Sequence, residues 1–301
     1  MLIQLPGVGR SIDSIIREAC QSLGVEPWGG PSENGWSRQS DMLRCPYRFY
    51  LKHIEGVGPT AVSDTGNALD IGSVCHLLLA ARYAALLPDE RYPGWRANVP
   101  DPTALLRALE VAGLPLTVSH EVERLYDGYA DKYGAETLQP VAVEMPVGIA
   151  TRHTSRYDTV VFVEDGIHDG LWILEHKTMS AATDIDDFRF DGEILGEMLS
   201  WDLSELTSFF EAPLTGVCIN ALVKAKTVPR YQRLWIPYNP RDIAAYEANR
   251  IQWIKQEHFY RKQNIWPKSL YGCKAGFRKC RFWEHCRTLD NSKLMPLPKK
   301  D

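Results

Sequence analysis

The sequence predicts an α/β domain with a central mixed sheet flanked by helices. Three observations predict it. Segments with strand patterning cluster between residues 141 and 236, a helical segment interrupts them, and helical stretches precede and follow them. A chain of 301 residues with 45% hydrophobic and 24% charged residues can bury a full core. No apolar run approaches the roughly 20 residues of a membrane span. The opening MLIQLPGVGR is too short, and too interrupted by Pro6 and Gly7, for a secretory signal, so a cytosolic compartment is expected.

In chain order, Ile12 to Leu23 reads as an amphipathic helix, and residues 24–35 form a Gly/Pro/Ser-rich link. Residues 1–36 are read as an appendage to a domain spanning 37–301. In SRQSDMLRCPYRFYLKHIEGV, Ser40-Asp41 is expected to begin a helix. Asn67 to Leu87 reads as a helix with a wide apolar surface and His76 in its middle. Residues 88–139 form a mostly helical insert, clearest from Glu121 to Tyr133. Then come strands at Val141 to Ile149, Tyr157 to Val163 and Leu171 to Leu174. A helix from Gly192 to Phe210 turns Leu206 and Phe209 inward. Two strands follow, Thr215 to Val223 buried on both faces and then Gln232 to Ile236. A last long helix starts at Asn239-Pro240, an N-cap followed by proline at the first helical position, with Ile243, Tyr246, Ile251 and Ile254 as its buried stripe.

The stretch YDTVVFVEDGIHDGLWILEHKT carries charges where strands rarely do. Asp158 opens the first strand, and Glu175 and Lys177 close the second. Residues two apart share a face, so Glu175 and Lys177 project together and His176 opposite. Converging charges at the end of an apolar hairpin are costly unless they bind something, and a divalent metal suits them. An exposed strand end kept soluble by its charges is the plainer reading. Glu144, in the preceding strand, reads as solvent-facing, and His76 on its apolar helix reads as a hydrogen-bonded core histidine.

The formal charge of −4 is unevenly spread. Residues 255–301 hold twelve Lys/Arg against four Asp/Glu, which leaves −12 on the rest. Phe259, Tyr260, Trp266, Tyr271, Phe277, Phe282 and Trp283 interleave with those cations, favouring a folded basic surface over a tail. Seven cysteines in a cytosolic chain argue against a disulfide framework. Cys273, Cys280 and Cys286 suggest metal or cluster ligation, with Cys20, Cys45, Cys75, Cys218 or His285 as a fourth ligand.

In this order, SRQSDMLRCPYRFYL, GSVCHLLL, RYDTVV, WILEHKT and CKAGFRKCRFWEHC resemble the PD-(D/E)XK nuclease superfamily. The closer likeness is to its RecB-like branch, which includes iron–sulfur nucleases and phage exonucleases. The resemblance spans roughly Ser37 to Arg287 and implies a restriction-endonuclease-like fold. It implies His76, Asp158, Glu175 and the His176 carbonyl as ligands of Mg²⁺ or Mn²⁺, which reverses the reading of His76. It makes Asp158, Glu175 and Lys177 catalytic. Cys45, Cys273, Cys280 and Cys286 become the thiolates of a 4Fe–4S cluster, with zinc as the alternative, joining the N-terminal segment to residues 264–301. Where the family carries Gln followed four residues later by Tyr, this chain offers Glu197 and Trp201. Those two, with Arg48, are the expected substrate contacts. The implied activity is metal-dependent hydrolysis of DNA, at ends or single strands, in recombination, repair or phage replication. It would act in a bacterial, archaeal or phage-infected cell, with a replication or recombination protein as a possible partner. The rival readings are a non-catalytic nucleic-acid-binding protein and a zinc-stabilised interaction module.

Overall fold

The computed structural model describes residues 11–24, 34–60, 66–87, 100–134, 138–149, 153–181, 183–269, 272–275 and 278–297. The opening decapeptide, most of the Gly/Pro/Ser-rich link, the loop at 88–99, Tyr271 and Phe277 lie outside them.

Five strands make the central sheet: β2 (Gln139–Ile149), β3 (His153–Val163), β4 (Gly170–Ser180), β5 (Leu214–Lys224) and β6 (Arg230–Pro237). They lie side by side in chain order. Only β4 and β5 run parallel, because helices connect them, while the other neighbours are antiparallel. β5 is an interior strand, between β4 and β6, and nearly continuously apolar, as a strand covered on both faces must be. The mixed sheet and its flanking helices agree with the expected restriction-endonuclease-like fold.

One face carries α4 (Gly66–Ala84) and α6 (Leu116–Tyr133), backed by α1 (Ile12–Ser22) and α5 (Pro102–Val111). Leu78, Leu109, Leu125 and Tyr129 pack there, and α1, read as an appendage, buries Ile15, Ala19 and Cys20 in the same cluster. The other face carries α7 (Gly192–Leu203) and α9 (Pro240–Gln263), which enclose Ile173, Ile194, Met198, Ile219 and Tyr246. Burying one such side chain contributes about 1.5–3 kcal/mol, so these layers dominate the stability of the fold.

Several boundaries differ from the sequence reading. The first strand of the hairpin begins at His153, so Asp158 lies inside it. The helix expected to start at Ser40-Asp41 starts at Trp36, as α2 (Trp36–Arg44). The helix expected over Gly192 to Phe210 breaks at Glu205, which adopts a left-handed conformation before α8 (Leu206–Phe210). Phe209 then points outward, 61% exposed. In α9, Ile243 and Tyr246 are buried, whereas Ile251 and Ile254 lie on the exposed part of the helix.

Residues 45–60 meet Pro267 and residues 294–297. A short helix α3 (Pro46–Phe49) continues into a π-turn at Tyr50–Ile54 and then β1 (Val57–Pro59). β7 (Lys274–Ala275) pairs antiparallel with β8 (Arg278–Lys279), and β1 pairs antiparallel with β9 (Leu294–Pro296). The Tyr47 N–H donates to the Pro267 carbonyl at 3.1 Å, and Leu297 N–H to Gly56 at 2.7 Å. Asp41 holds this region from beneath, bonded to Arg48, Lys52 and His53 at 2.7, 2.7 and 2.9 Å.

Candidate active site

Where β3 and β4 part, the sheet opens. Their last paired residues are Thr159 and Leu174, and Asp158 and Glu175 stand immediately beyond. Opening the ladder frees the His176 N–H, which donates to Asp158 Oδ2 at 2.8 Å. The same oxygen lies 3.2 Å from His76 Nδ1 on α4. On β4, Lys177 Nζ donates to Glu175 Oε1 at 2.6 Å, so the two share a face as the strand period requires.

Two further carboxylates enter that the sequence reading did not place here. Lys177 Nζ also donates to Glu193 Oε2, at 2.7 Å. Glu193 opens α7, capped by Asp191, whose side chain accepts the Glu193 N–H. The other is Glu144. Val143 faces Thr159 and Met145 faces Tyr157, so Glu144 stands opposite Asp158. Its φ of 50° turns the strand locally, leaving its side chain only 11% exposed and 4.0 Å from Arg156. The solvent-facing reading of Glu144 is therefore corrected. Alternation along the strand gave no sign of this, because a left-handed residue breaks the alternation itself.

The electrostatics follow from this crowding. Burial, then Asp158, pushes Glu175 up to about 7 and Glu144 up to about 8. Burial would raise Asp158 too, but His76 outweighs it and holds the carboxyl well below its ordinary range. Burial lowers the pKa of His76, yet Asp158 overrides it and lifts the imidazole to about 9. Lys177 likewise stays protonated: Glu175 and Glu193 overcome its burial. One turn along α7, Glu197 is buried and pushed far up by burial and then by Glu175. Its Oε2 has no hydrogen-bond partner among the described residues.

The His176 side chain faces the other way, as expected. It stacks on Tyr83 at 5.5 Å, and its Nδ1 lies 2.8 Å from Asn220, which donates to Tyr129. Burial pushes its pKa down to about 3, so the ring is a neutral core group and only its main chain is presented to the carboxylates. This buried polar network fixes the end of β4 from behind.

Among the described residues no three His, Cys, Asp or Glu side chains converge on a single ion position. The chemistry of the donors nonetheless fits a hard cation. Two carboxylates and a main-chain carbonyl offer oxygen, and a cation would offset the burial and the Asp158 charge that raise Glu175.

The expected substrate contacts divide. Glu197 does lie beside Lys177. Arg48 is tied to Asp41. Trp201 is a core residue, 1% exposed, stacked between Tyr157 at 6.2 Å and Phe210 at 5.4 Å, with its indole N–H donating to Thr207. It does not face a substrate.

Among the described residues the four cysteines do not converge as a ligand set, though Cys273 and Cys286 feel the charges of Cys45 and Cys280. Burial raises the Cys273 thiol, followed by the charges of Cys280 and Cys45. Burial also raises Cys286, and Cys280, Cys45 and Cys273 add to it. The Ser269 N–H donates to Cys45 Sγ at 3.4 Å, and the Cys280 N–H to the Cys273 carbonyl at 2.9 Å. His285 is not a spare ligand, because its ring nitrogens lie 3.2 Å from Tyr47 Oη and from the Asp290 carbonyl.

The profile of the PD-(D/E)XK nuclease superfamily matches residues 36–191, just over half of the chain. A solved structure described as the crystal structure of SSO0001 aligns at 12% identity over 74% of this chain and 86% of its own. Its TM-score is 0.25, too loose a likeness to bear on the fold. No curated protein matches the chain.

Proposed function

Because the chain belongs to the PD-(D/E)XK nuclease superfamily, we propose that it is a divalent-metal-dependent deoxyribonuclease that hydrolyses phosphodiester bonds. The observation that carries this reading is the Lys177 ammonium held between Glu175 and Glu193, with Asp158 across from Glu175 where β3 and β4 part.

Asp158, Glu175 and the His176 carbonyl would hold Mg²⁺ or Mn²⁺, with His76 beside Asp158. The cation supplies Lewis-acid polarisation of the scissile phosphate. Lys177 remains charged, orients the attacking water and offsets negative charge as it develops on the phosphate oxygens. Glu193 and Glu175 fix that ammonium from two sides, so it reaches the reaction already oriented. Asp158 braces the His176 main chain, which keeps its carbonyl at the edge.

Within this reading the chain is a RecB-like exonuclease acting on DNA ends or single strands in recombination, repair or phage replication. Cys45, Cys273, Cys280 and Cys286 hold a 4Fe–4S cluster there. Support for the cluster is the shared electrostatic neighbourhood of the four thiols beside residues 44–60.

The test is incubation of anaerobically purified protein with end-labelled single- and double-stranded DNA and Mn²⁺. Cleavage is expected in wild type, with a loss of at least about 10²-fold in Glu175→Ala and Lys177→Ala at a retained thermal midpoint. Full activity in both variants would place the chemistry elsewhere.

A further inference from the structure

Two cavities share a wall where α2 faces α9. The first, about 250 Å³, lies among Arg38, Arg250 and Arg261, with Phe49 and Trp253 as apolar sides and Glu257 at its edge. The second, about 300 Å³, continues from Trp253 past Trp36 and Tyr246 to Gly192. Gly192 immediately precedes Glu193, the partner of Lys177. Both cavities are lined by Trp253, so together they reach from an arginine-bearing end to the residue next to Glu193. Gly192 is needed at that junction: a Cβ there would come within 2.3 Å of the Trp36 ring.

Arg38 and Arg261 line one cavity, and the half-buried rings of Trp253 and Trp36 line the other. Arg38 and Arg261 both bond one oxygen of Glu257, at 2.7 and 2.8 Å. Two guanidinium groups share one carboxylate, which leaves a positive charge to spare between Arg38 and Arg261. The Arg38 guanidinium lies 4.5 Å from the centre of the Phe49 ring, and the Trp36 and Trp253 rings are 6.2 Å apart. A polyanion with flat, unpaired π faces suits both features. An acidic peptide would use the arginines and leave the rings idle. A duplex keeps its bases stacked inside and away from such a wall.

We propose that this pair of cavities forms a groove that binds single-stranded DNA leading to the catalytic edge, with phosphates at Arg38 and Arg261 and a base against Trp253. The choice of DNA rests on the nuclease reading above. Glu257 occupies the position a phosphate takes: its carboxylate holds two guanidinium groups in place while the groove is empty and is displaced from them when the strand enters. Removing that carboxylate charge should therefore strengthen binding, which a purely structural ion pair would not do.

The experiment measures fluorescence anisotropy of labelled oligothymidylate with the full chain in EDTA across a salt series, and Mn²⁺-dependent cleavage in parallel. Arg261→Ala, at a half-exposed site that tolerates truncation, should weaken binding several-fold and flatten the log–log salt slope by about 0.7. Glu257→Gln should tighten binding several-fold, and neither change should alter duplex affinity. Wild-type affinity and slope in both variants, equal effects on duplex, or tighter binding of single-stranded RNA would each overturn the proposal. Cleavage by wild type with unaltered binding in the variants overturns the groove and leaves the nuclease reading standing. Altered binding without cleavage supports the groove and removes the nuclease reading.

Discussion

Lys177 Nζ and Glu193 Oε2 lie 2.7 Å apart, joining the end of β4 to the first turn of α7. The pair crosses from the strand that carries the candidate catalytic groups to the helix that covers them. It is half open to water on the glutamate side, so its own contribution to stability is below about 1 kcal/mol. Its effect should fall on the orientation of the ammonium. Glu193→Gln is expected to lower kcat about tenfold with KM and thermal midpoint unchanged, a split that steady-state kinetics and calorimetry resolve together. A rise in KM at constant kcat would assign Glu193 to substrate binding.

Trp201 gives a prediction about stability alone. It fills space between Tyr157 and Phe210 in the core beneath α7. Trp201→Ala should cost about 3–5 kcal/mol in denaturant unfolding. Trp201→Phe should recover most of that, leaving the Thr207 hydroxyl without its donor. DNA affinity of the folded Phe variant is expected to match wild type.

A pH dependence follows from His153. The ring is fully buried, with Gln39 3.2 Å from Nδ1 and the Tyr246 ring beside it. Burial, followed by the Arg250 charge, pushes its pKa from 6.5 down to about 4. The unfolded chain therefore takes up the proton first, so this stabilisation is complete above about pH 6.5 and is lost as pH falls towards 4. Glu175 and Glu144, whose values are raised, act with the opposite sign over much of this range. The comparison of wild type with His153→Leu isolates the histidine. Wild type should lose up to roughly 1.4 kcal/mol per pH unit more than the variant between pH 6 and 4.5, by urea denaturation without added metal. Parallel curves would contradict it. Asp41, whose pKa is depressed from 3.8, acts in the same direction only below that window.

The cysteines make a prediction of colour. Protein purified without oxygen should be brown, with broad visible absorbance that disappears in Cys280→Ser. A colourless preparation with one equivalent of zinc would establish a structural zinc site in place of the cluster.

Much of the site was readable because it obeys simple periods. Two-residue alternation put Glu175 and Lys177 on one face and His176 on the other, and the distances bear that out. Continuous apolar sequence marked β5 as a strand buried on both faces. Glu144 escaped because a left-handed residue inside a strand reverses the face that alternation assigns. Glu193 escaped because an acidic residue in a first helical turn is common on solvated helices, and only the tertiary position of α7 brings it to Lys177. Trp201 shares the helix face of Glu197, but at its position that face is sealed by Tyr157 and Phe210 and not open to a substrate. The long α9 misled for a related reason: Ile251 and Ile254 keep the helical spacing of the buried residues after the helix has left the main core.

The pairing of β1 with β9 has a consequence for how the protein comes into being. All five strands of the central sheet precede β9, so the sheet and its catalytic edge can assemble while the chain is still being made. β1 has no strand partner until synthesis has passed Pro296, and until then its edge is open to pair wrongly. Closure of so long a loop is entropically costly, so the joining of these two short strands follows assembly of the sheet. A premature stop a few codons before Leu294 would leave the sheet complete and its terminal latch unmade.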